Sequence, residues 1–130
     1  MNVLLLTQVL PFPADSGPKV KTLGVLRQLA RRHDVTLVSF VRGDQRHDVE
    51  QLRPLCRAVH TVPMQRGPAR EAVGIARSVV RAEPWLLARD ERAAMRRLLD
   101  TLTRRQRFDA VHADQVNMCP YAEGLDAGAR

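Results

Sequence analysis

A short and almost uninterrupted apolar run opens the chain and constrains its fold more than any other stretch. Residues 2–10 are Asn-Val-Leu-Leu-Leu-Thr-Gln-Val-Leu, which leaves no polar face for water. A strand covered on both sides of a parallel sheet has this pattern, because helices lie against both faces of such sheets. We therefore predict a buried first strand, a proline-rich loop at residues 11–18 and an amphipathic helix over residues 19–33.

The alternation of strand and helix continues along the chain. Residues 35–41 and 58–64 are rich in β-branched side chains and are predicted strands. Between them we predict a short helix over residues 48–57, capped by Asp48 and interrupted near Pro54. This β-α-β-α-β pattern predicts a parallel sheet with right-handed crossovers.

The second half of the chain is predicted to hold two amphipathic helices and a fourth strand. The helices fall within residues 65–107 and are separated at the Glu83-Pro84 pair, and the strand begins at Phe108. A length of 130 residues suits one domain and is too short for two. The predicted fold is thus a single α/β domain over residues 1–130, a Rossmann-like open parallel sheet with flanking helices.

The loop after the first strand carries candidate ligand contacts, because open α/β sheets bind ligands at the carboxyl ends of their strands. Ser16 is the predicted N-cap of the first helix, Gly17 lets a ligand approach the backbone, and Pro18 suits the first helical turn. Lys19 and Lys21 are the only lysines of the chain. Their charges oppose the helix dipole unless an anion binds there. The alternative is that both lysines simply face solvent.

A second polar group follows the predicted fourth strand. Asp114, Gln115 and Asn117 come directly after the apolar strand residues. The carboxyl ends of parallel strands lie at one edge of a sheet, so we expect these side chains near the loop after the first strand. Polar side chains at that edge are better placed for ligand contact than for packing.

The formal net charge of +7 is concentrated in one part of the chain. The basic segment, defined as residues 66–107, begins at Arg66 and ends at Arg107 and holds eleven arginines against five acidic residues. These arginines either face water beside helices that pack on the sheet, or contact an anionic membrane surface. Aromatic residues make up only 4% of the chain, which disfavours base-stacking nucleic-acid modules. We therefore predict no nucleic-acid partner.

Cysteine usage and the amino terminus indicate a reduced, cytoplasmic setting. Cys56 and Cys119 are far apart in sequence and have no neighbouring histidine pair, so we predict neither a disulfide framework nor a metal site. The apolar start lacks the basic region and the small-residue cleavage site of a signal peptide. No stretch approaches the roughly 18 apolar residues of a membrane-spanning helix.

Three stretches together resemble the amino-terminal domain of a family 4 glycosyltransferase. The most specific is the loop Pro-x-Pro-x-Asp-Ser-Gly-x-Lys-x-Lys-Thr, which ends at Thr22. The others are the strand at residues 35–40 and the Asp-x-Val-His pattern within residues 108–115. The resemblance covers essentially the whole chain, although the helices between these stretches are not diagnostic.

The resemblance implies the GT-B architecture, in which two Rossmann-like domains face each other across a cleft. The first domain holds a saccharide or lipid-linked acceptor, and the second holds a nucleotide-diphosphate sugar as donor. The implied reaction is sugar transfer with retention of anomeric configuration, without a metal or other cofactor. Many members attach to the inner face of the membrane through basic helices of the first domain. Gly17 carries over as the glycine that approaches the donor, with Ser16, Lys19, Lys21, Gln115 and Asn117 as further binding candidates.

The chain departs from the family pattern at several places. Pro18 replaces a second glycine and so removes one backbone N–H that could reach a phosphate. Lys19 and Lys21 match basic positions of the motif and would supply positive charge there instead. Asp114 stands where many members have a second histidine over the transferred sugar, and it is the candidate catalytic residue, as hydrogen-bond acceptor or base. His112 matches the first histidine, and we predict for it a structural role at the end of a buried strand.

The family's paired glutamates belong to the donor domain and are missing from this sequence. We therefore expect the chain to be the amino-terminal portion of an enzyme, inactive by itself, with an open sheet edge that allows pairing with a second copy. The alternative function is a non-catalytic Rossmann-like module attached to anionic membranes through the basic segment. Nonspecific nucleic-acid binding by the same arginines is the third and least favoured hypothesis.

Overall fold

The computed structural model describes residues 1–64, 93–123 and 125. Four strands form one sheet: β1 (Asn2–Thr7), β2 (Asp34–Val41), β3 (Ala58–Pro63) and β4 (Ala110–Ala113). The strand order is β3-β2-β1-β4, and every neighbouring pair is parallel. The predicted open parallel α/β sheet is confirmed, and its Rossmann-like character follows from the helices that flank it.

The central strand is β1, whose residues from the second onward are all buried. It pairs with β2 on one side and β4 on the other, so Leu5 lies opposite both Leu37 and His112. Strand β1 ends at Thr7, three residues before the predicted end. The strand stops there because the backbone N–H of Gln8 donates to the side-chain Oε1 of Gln115 at 2.8 Å instead of joining a ladder.

Helix α1 (Gly17–Ala30) follows the loop and packs on one face of the sheet. It begins two residues earlier than predicted and ends three residues earlier. At the carboxyl end, the N–H groups of Arg32 and His33 both donate to the carbonyl of Leu29, which closes the helix before β2. The buried positions Thr22, Leu23 and Leu26 form its sheet-facing side.

The connection between β2 and β3 contains α2 (Arg46–Leu52) and a 3₁₀ turn (Arg53–Leu55). The turn carries Pro54, so the predicted interruption of the helix is confirmed. The prediction that Asp48 caps this helix is wrong, because the N-cap is Gln45. Asp48 lies in the first turn, where its carboxylate accepts from Gln45 Nε2 at 3.3 Å.

Helix α3 (Ala93–Arg105) is the described part of the two predicted basic helices. It buries Met95, Leu99 and Leu102 and leaves Leu98 partly covered, as its predicted apolar stripe requires. The chain then passes through β4, a second 3₁₀ turn (Val116–Met118) and the short helix α4 (Cys119–Glu123). The earlier basic helix and the predicted separation at Glu83-Pro84 lie outside the described residues.

Two apolar clusters lie on opposite faces of the sheet and make a three-layer structure. On one face, Leu4, Leu6 and Phe40 contact α3 and α4. On the other face, Leu5 and Leu37 contact α1 and α2. The side chains of β1 therefore alternate between two covered faces, which explains why its sequence shows no polar side. Among the described helices, none is both long and apolar enough to span a bilayer.

Candidate functional site

The carboxyl ends of β1 and β4 lie side by side and carry the two polar groups that the sequence singles out. Leu6 is opposite Ala113 in the parallel ladder, and the N–H of Asp114 continues the pairing by donating to the carbonyl of Leu6 at 3.0 Å. The loop after β1 and the residues after β4 consequently leave the sheet at the same edge. This is the edge at which open α/β sheets bind ligands.

Three side-chain amides tie these two segments together. Gln115 accepts from the Gln8 backbone and donates through Nε2 to the hydroxyl oxygen of Thr22 at 3.4 Å. Asn117, which is buried, donates through Nδ2 to Gln8 Oε1 at 2.6 Å. Gln115 and Asn117, predicted as ligand contacts, thus hold the loop after β1 against the end of β4. Gln8 completes this network and was not singled out from the sequence, because its role depends on a residue 107 positions away.

The carboxylate of Asp114 is the chemical centre of the edge. Its side chain is only 2% exposed, and its Oδ2 accepts a hydrogen bond from the hydroxyl of Thr22. Its Oδ1 is buried and has no hydrogen-bond partner. Two nitrogens flank that oxygen just beyond hydrogen-bond range, Lys21 Nζ at 3.7 Å and His112 Nε2 at 3.8 Å. We call Lys21, Thr22, His112 and Asp114 the Asp114 site.

The two lysines of the chain occupy different electrostatic environments. Lys19 forms an ion pair with Asp15 at 3.1 Å, and its side chain is 22% exposed. Lys21 lies farther from its carboxylate, and its side chain is 68% exposed. Lys19 is thus paired with a carboxylate of the loop that precedes α1. Lys21 is the more exposed of the two cations and lies beside Asp114.

Ser16 and Gly17 lie at the start of α1, within the same edge. Ser16 is the N-cap residue, as predicted, but its side chain makes no capping hydrogen bond. A Cβ added at Gly17 would meet no atom of the described chain within 4 Å. Packing among the described residues therefore does not require glycine here, and space remains beside the backbone. Pro18 occupies the first turn, and its carbonyl lies 2.9 Å from the Thr22 hydroxyl.

His112 is more accessible than the sequence predicts. The expected burial of this histidine is wrong, because the imidazole is 47% exposed, while its structural role stays a prediction. The physical reason is that β4 lies at the edge of the sheet, where one side of the strand has no neighbour among the described residues. The sequence does indicate that His112 and Asp114 lie near each other, since they are two residues apart and residues two apart on a strand share a face.

Two surface cavities lie away from the Asp114 site. One of about 350 Å³ has Val41, Val49 and Val59 among its lining, with the ion pairs Asp44–Arg46 and Glu50–Arg53 at its border. Hydrogen bonds from Arg46 hold the pKa of Asp44 at about 2. The other, of about 900 Å³, lies along α1 and the turn after it and is lined by Gly24, Arg27, Gln28, Leu29, Arg31, Arg32 and His33.

The described part of the basic segment makes contacts within the protein. Arg96 lies over the ring of Tyr121 at 5.2 Å, and Arg104 pairs with Asp100 at 3.0 Å. Most of the segment, residues 66–92, lies outside the described residues. Across residues 1–64 and 93–123, no group of three or more His, Cys, Asp or Glu side chains is arranged to hold a metal ion.

Similarity to known proteins adds no further assignment. Comparison with protein-family models, with curated proteins and with solved structures finds no match to this chain. A function for this α/β domain therefore has to be argued from its residues.

Proposed function

We propose that this chain is the acceptor-side domain of a retaining glycosyltransferase of the GT-B type. The observation that carries the proposal is the contact between the first helical turns of α1 and the end of β4, made by Lys21 and Thr22 with Asp114. That contact brings an exposed cation, a histidine and a carboxylate to one ligand-binding edge. The resemblance of the loop sequence to family 4 supplies the reaction class.

The chemistry of the edge suits a ligand that is both phosphorylated and rich in hydroxyl groups. Lys21 provides a solvent-accessible ammonium for a phosphate oxygen. The exposed imidazole of His112 can exchange hydrogen bonds with sugar hydroxyls, while Gln115 and Asn117 hold the loop after β1 in place. The proposed donor is a nucleotide-diphosphate sugar, and the proposed acceptor is a saccharide or a lipid-linked saccharide.

The open space beside Gly17 is the second support. The residue begins α1 beside the loop, and nothing in the described chain would contact a side chain there. A ligand phosphate or sugar can therefore approach the backbone closely. A larger residue at this position would remove the space without disturbing the core.

The proposal is tested by titrating the isotope-labelled chain with nucleotide-diphosphate sugars, inorganic pyrophosphate and free saccharides while recording amide NMR spectra. We expect shifts confined to residues 8–22 and 112–117. Gly17→Val should weaken binding at least about tenfold, the effect of losing roughly 1.4 kcal/mol of binding free energy. The matched control is Gly24→Val, since a Cβ at Gly24 also meets nothing within 4 Å but lies two turns farther along α1.

Two results would overturn the proposal. The first is equal binding by wild type and Gly17→Val. The second is the absence of shifts with any of these ligands at millimolar concentration. Flotation with anionic vesicles in the absence of such shifts would favour the alternative function, a membrane-attached module that uses the basic segment.

A further inference from the structure

The Asp114 site contains a pair of groups whose arrangement goes beyond ligand binding. His112 Nε2 faces the buried Oδ1 of Asp114 at 3.8 Å, while the imidazole is half exposed. We propose that His112 is the proton acceptor for a hydroxyl group of the bound ligand, and that Asp114 is the residue that positions it. This inference rests on the proposed function for its ligand class, a sugar hydroxyl.

Burial separates the roles of the two residues. With 2% of its side chain exposed, Asp114 presents almost no surface to a ligand. His112 presents nearly half of its surface. Asp114 was the candidate catalytic residue from the resemblance, yet the more accessible member of the pair is His112. The pair therefore fits a buried carboxylate that orients an exposed imidazole.

The orientation of the ring follows from which nitrogen faces the carboxylate. A proton on Nε2 lets the neutral ring point an N–H group at Oδ1, whereas a lone pair on Nε2 would face a negative charge. The favoured tautomer therefore carries its proton on Nε2. The two ring nitrogens point in different directions, so Nδ1 is directed away from the carboxylate with its lone pair available.

Thr22 and Lys21 complete the surroundings of the carboxylate. The Thr22 hydroxyl bonds to Oδ2, which fixes the carboxylate and leaves Oδ1 for the imidazole. Lys21 on α1 competes for Oδ1 from 3.7 Å, but its side chain is 68% exposed and moves at little cost when a phosphate draws it away. Among the described residues, Lys21 and His112 are the charged or titratable groups that face this oxygen.

The proton moves as the ligand reacts. While the hydroxyl oxygen attacks the anomeric carbon of the nucleotide-diphosphate sugar, its O–H bond breaks and a new N–H bond forms at Nδ1. The bond between the anomeric carbon and the diphosphate breaks, and the diphosphate leaves with that electron pair. The resulting imidazolium charge faces the Asp114 carboxylate, which stabilises it. A separation of 3.8 Å is long for a hydrogen bond, and such contacts often tighten only when ligand is bound.

The test measures the reactivity and the tautomer of His112 in the full chain. Acylation by diethyl pyrocarbonate at pH 8, followed by mass spectrometry, reports the nucleophilicity of each histidine, with the exposed His47 as internal control. In Asp114→Asn, the ratio of His112 acylation to His47 acylation should be about two- to fivefold lower than in the wild type. This is the range expected for the interaction of a charged pair in partly exposed surroundings. Imidazole ¹⁵N shifts of the wild type should show the Nε2-protonated tautomer.

The proposal is overturned if wild-type His112 is mainly protonated at Nδ1, a measurement that needs no variant. It is also overturned if a folded Asp114→Asn chain leaves the His112 to His47 ratio unchanged. These measurements use no sugar, so they can support the role of His112 even if the proposed function is wrong. Conversely, a nucleotide sugar that shifts residues 8–22 without protecting His112 from acylation would refute this inference and leave the proposed function standing.

Discussion

The hydroxyl of Thr22 donates a hydrogen bond to the carboxylate of Asp114, joining residues that are 92 positions apart. Thr22 is fully buried in α1, and Asp114 follows the last residue of β4. The helix that packs against one face of the sheet is thereby tied to the strand at its edge. Because this bond occupies Oδ2, Oδ1 is the carboxylate oxygen that faces Lys21 and His112.

Replacing Thr22 by valine should therefore destabilise the protein. Valine keeps the shape but leaves a buried carboxylate oxygen without its donor, at a cost of about 1.5–3 kcal/mol in the free energy of unfolding. Urea denaturation followed by circular dichroism measures the change. Thr22→Ser keeps the hydroxyl and is the matched control, with a smaller loss. A larger loss for Thr22→Ser than for Thr22→Val would mean that the methyl group, and not the hydrogen bond, holds this contact.

The opposite face of the sheet offers a prediction about the core. Leu99 of α3 is 1% exposed and belongs to the cluster that contains Leu4 and Leu6. Leu99→Ala should lower the free energy of unfolding by about 2–5 kcal/mol, because it removes buried methyl groups and leaves a cavity. Denaturant unfolding monitored by circular dichroism measures the difference.

Arg97→Ala is the control on the same helix, since Arg97 is exposed, and its effect should stay within about 0.5 kcal/mol. A loss below about 1 kcal/mol for Leu99→Ala would show that α3 contributes little to the folded state. Such a result would contradict a core that depends on this helix.

The fold was predictable because its signals are local. The run Val3–Leu6 is apolar at every position, as expected for a strand covered on both faces of a parallel sheet. The positions of Met95, Leu99 and Leu102 repeat with the period of a helix, so α3 follows from sequence as well. The N-cap of α2 was missed because the helix begins at Arg46, so Asp48 lies within the first turn, where it bonds to the side chain of Gln45.

The site was predictable only in part because its contacts join distant residues. The rule that parallel strands end at one edge placed Asp114 near the loop that precedes α1. That rule says nothing about which strand lies at the edge of the sheet. The exposure of His112 depends on β4 being an edge strand, and the role of Gln8 depends on where Gln115 lies. These relationships require the three-dimensional arrangement.

The two lysines should contribute unequally to anion binding. Lys21→Gln removes the more exposed cation, and binding of inorganic pyrophosphate should weaken about five- to tenfold, with a weaker dependence on salt. Lys19→Gln removes a cation already paired with Asp15, so its effect should be less than about twofold. Isothermal titration calorimetry at two salt concentrations measures both. Equal effects of the two substitutions would contradict the distinction between a closely paired lysine and a more exposed one.

The thiol of Cys56 should make stability fall in alkaline solution. Burial raises its pKa from 9.0 to about 11, because the thiolate is poorly solvated in the folded protein. Between about pH 9 and pH 11 the unfolded chain releases this proton while the folded chain holds it, so the free energy of unfolding decreases as pH rises. The side chain is partly solvated, and the expected loss is therefore only about 1 kcal/mol.

Cys56→Ala isolates this contribution, since the variant has no thiol at that position to titrate. Urea denaturation at intervals between pH 8 and pH 11 should give a steeper decline for the wild type than for Cys56→Ala, and the two curves should separate above about pH 9. Parallel curves would show that the thiolate is as well solvated in the folded chain as in the unfolded one. The side chain would then lie in a more open environment than the apolar cluster around Leu52 and Leu55 that borders it.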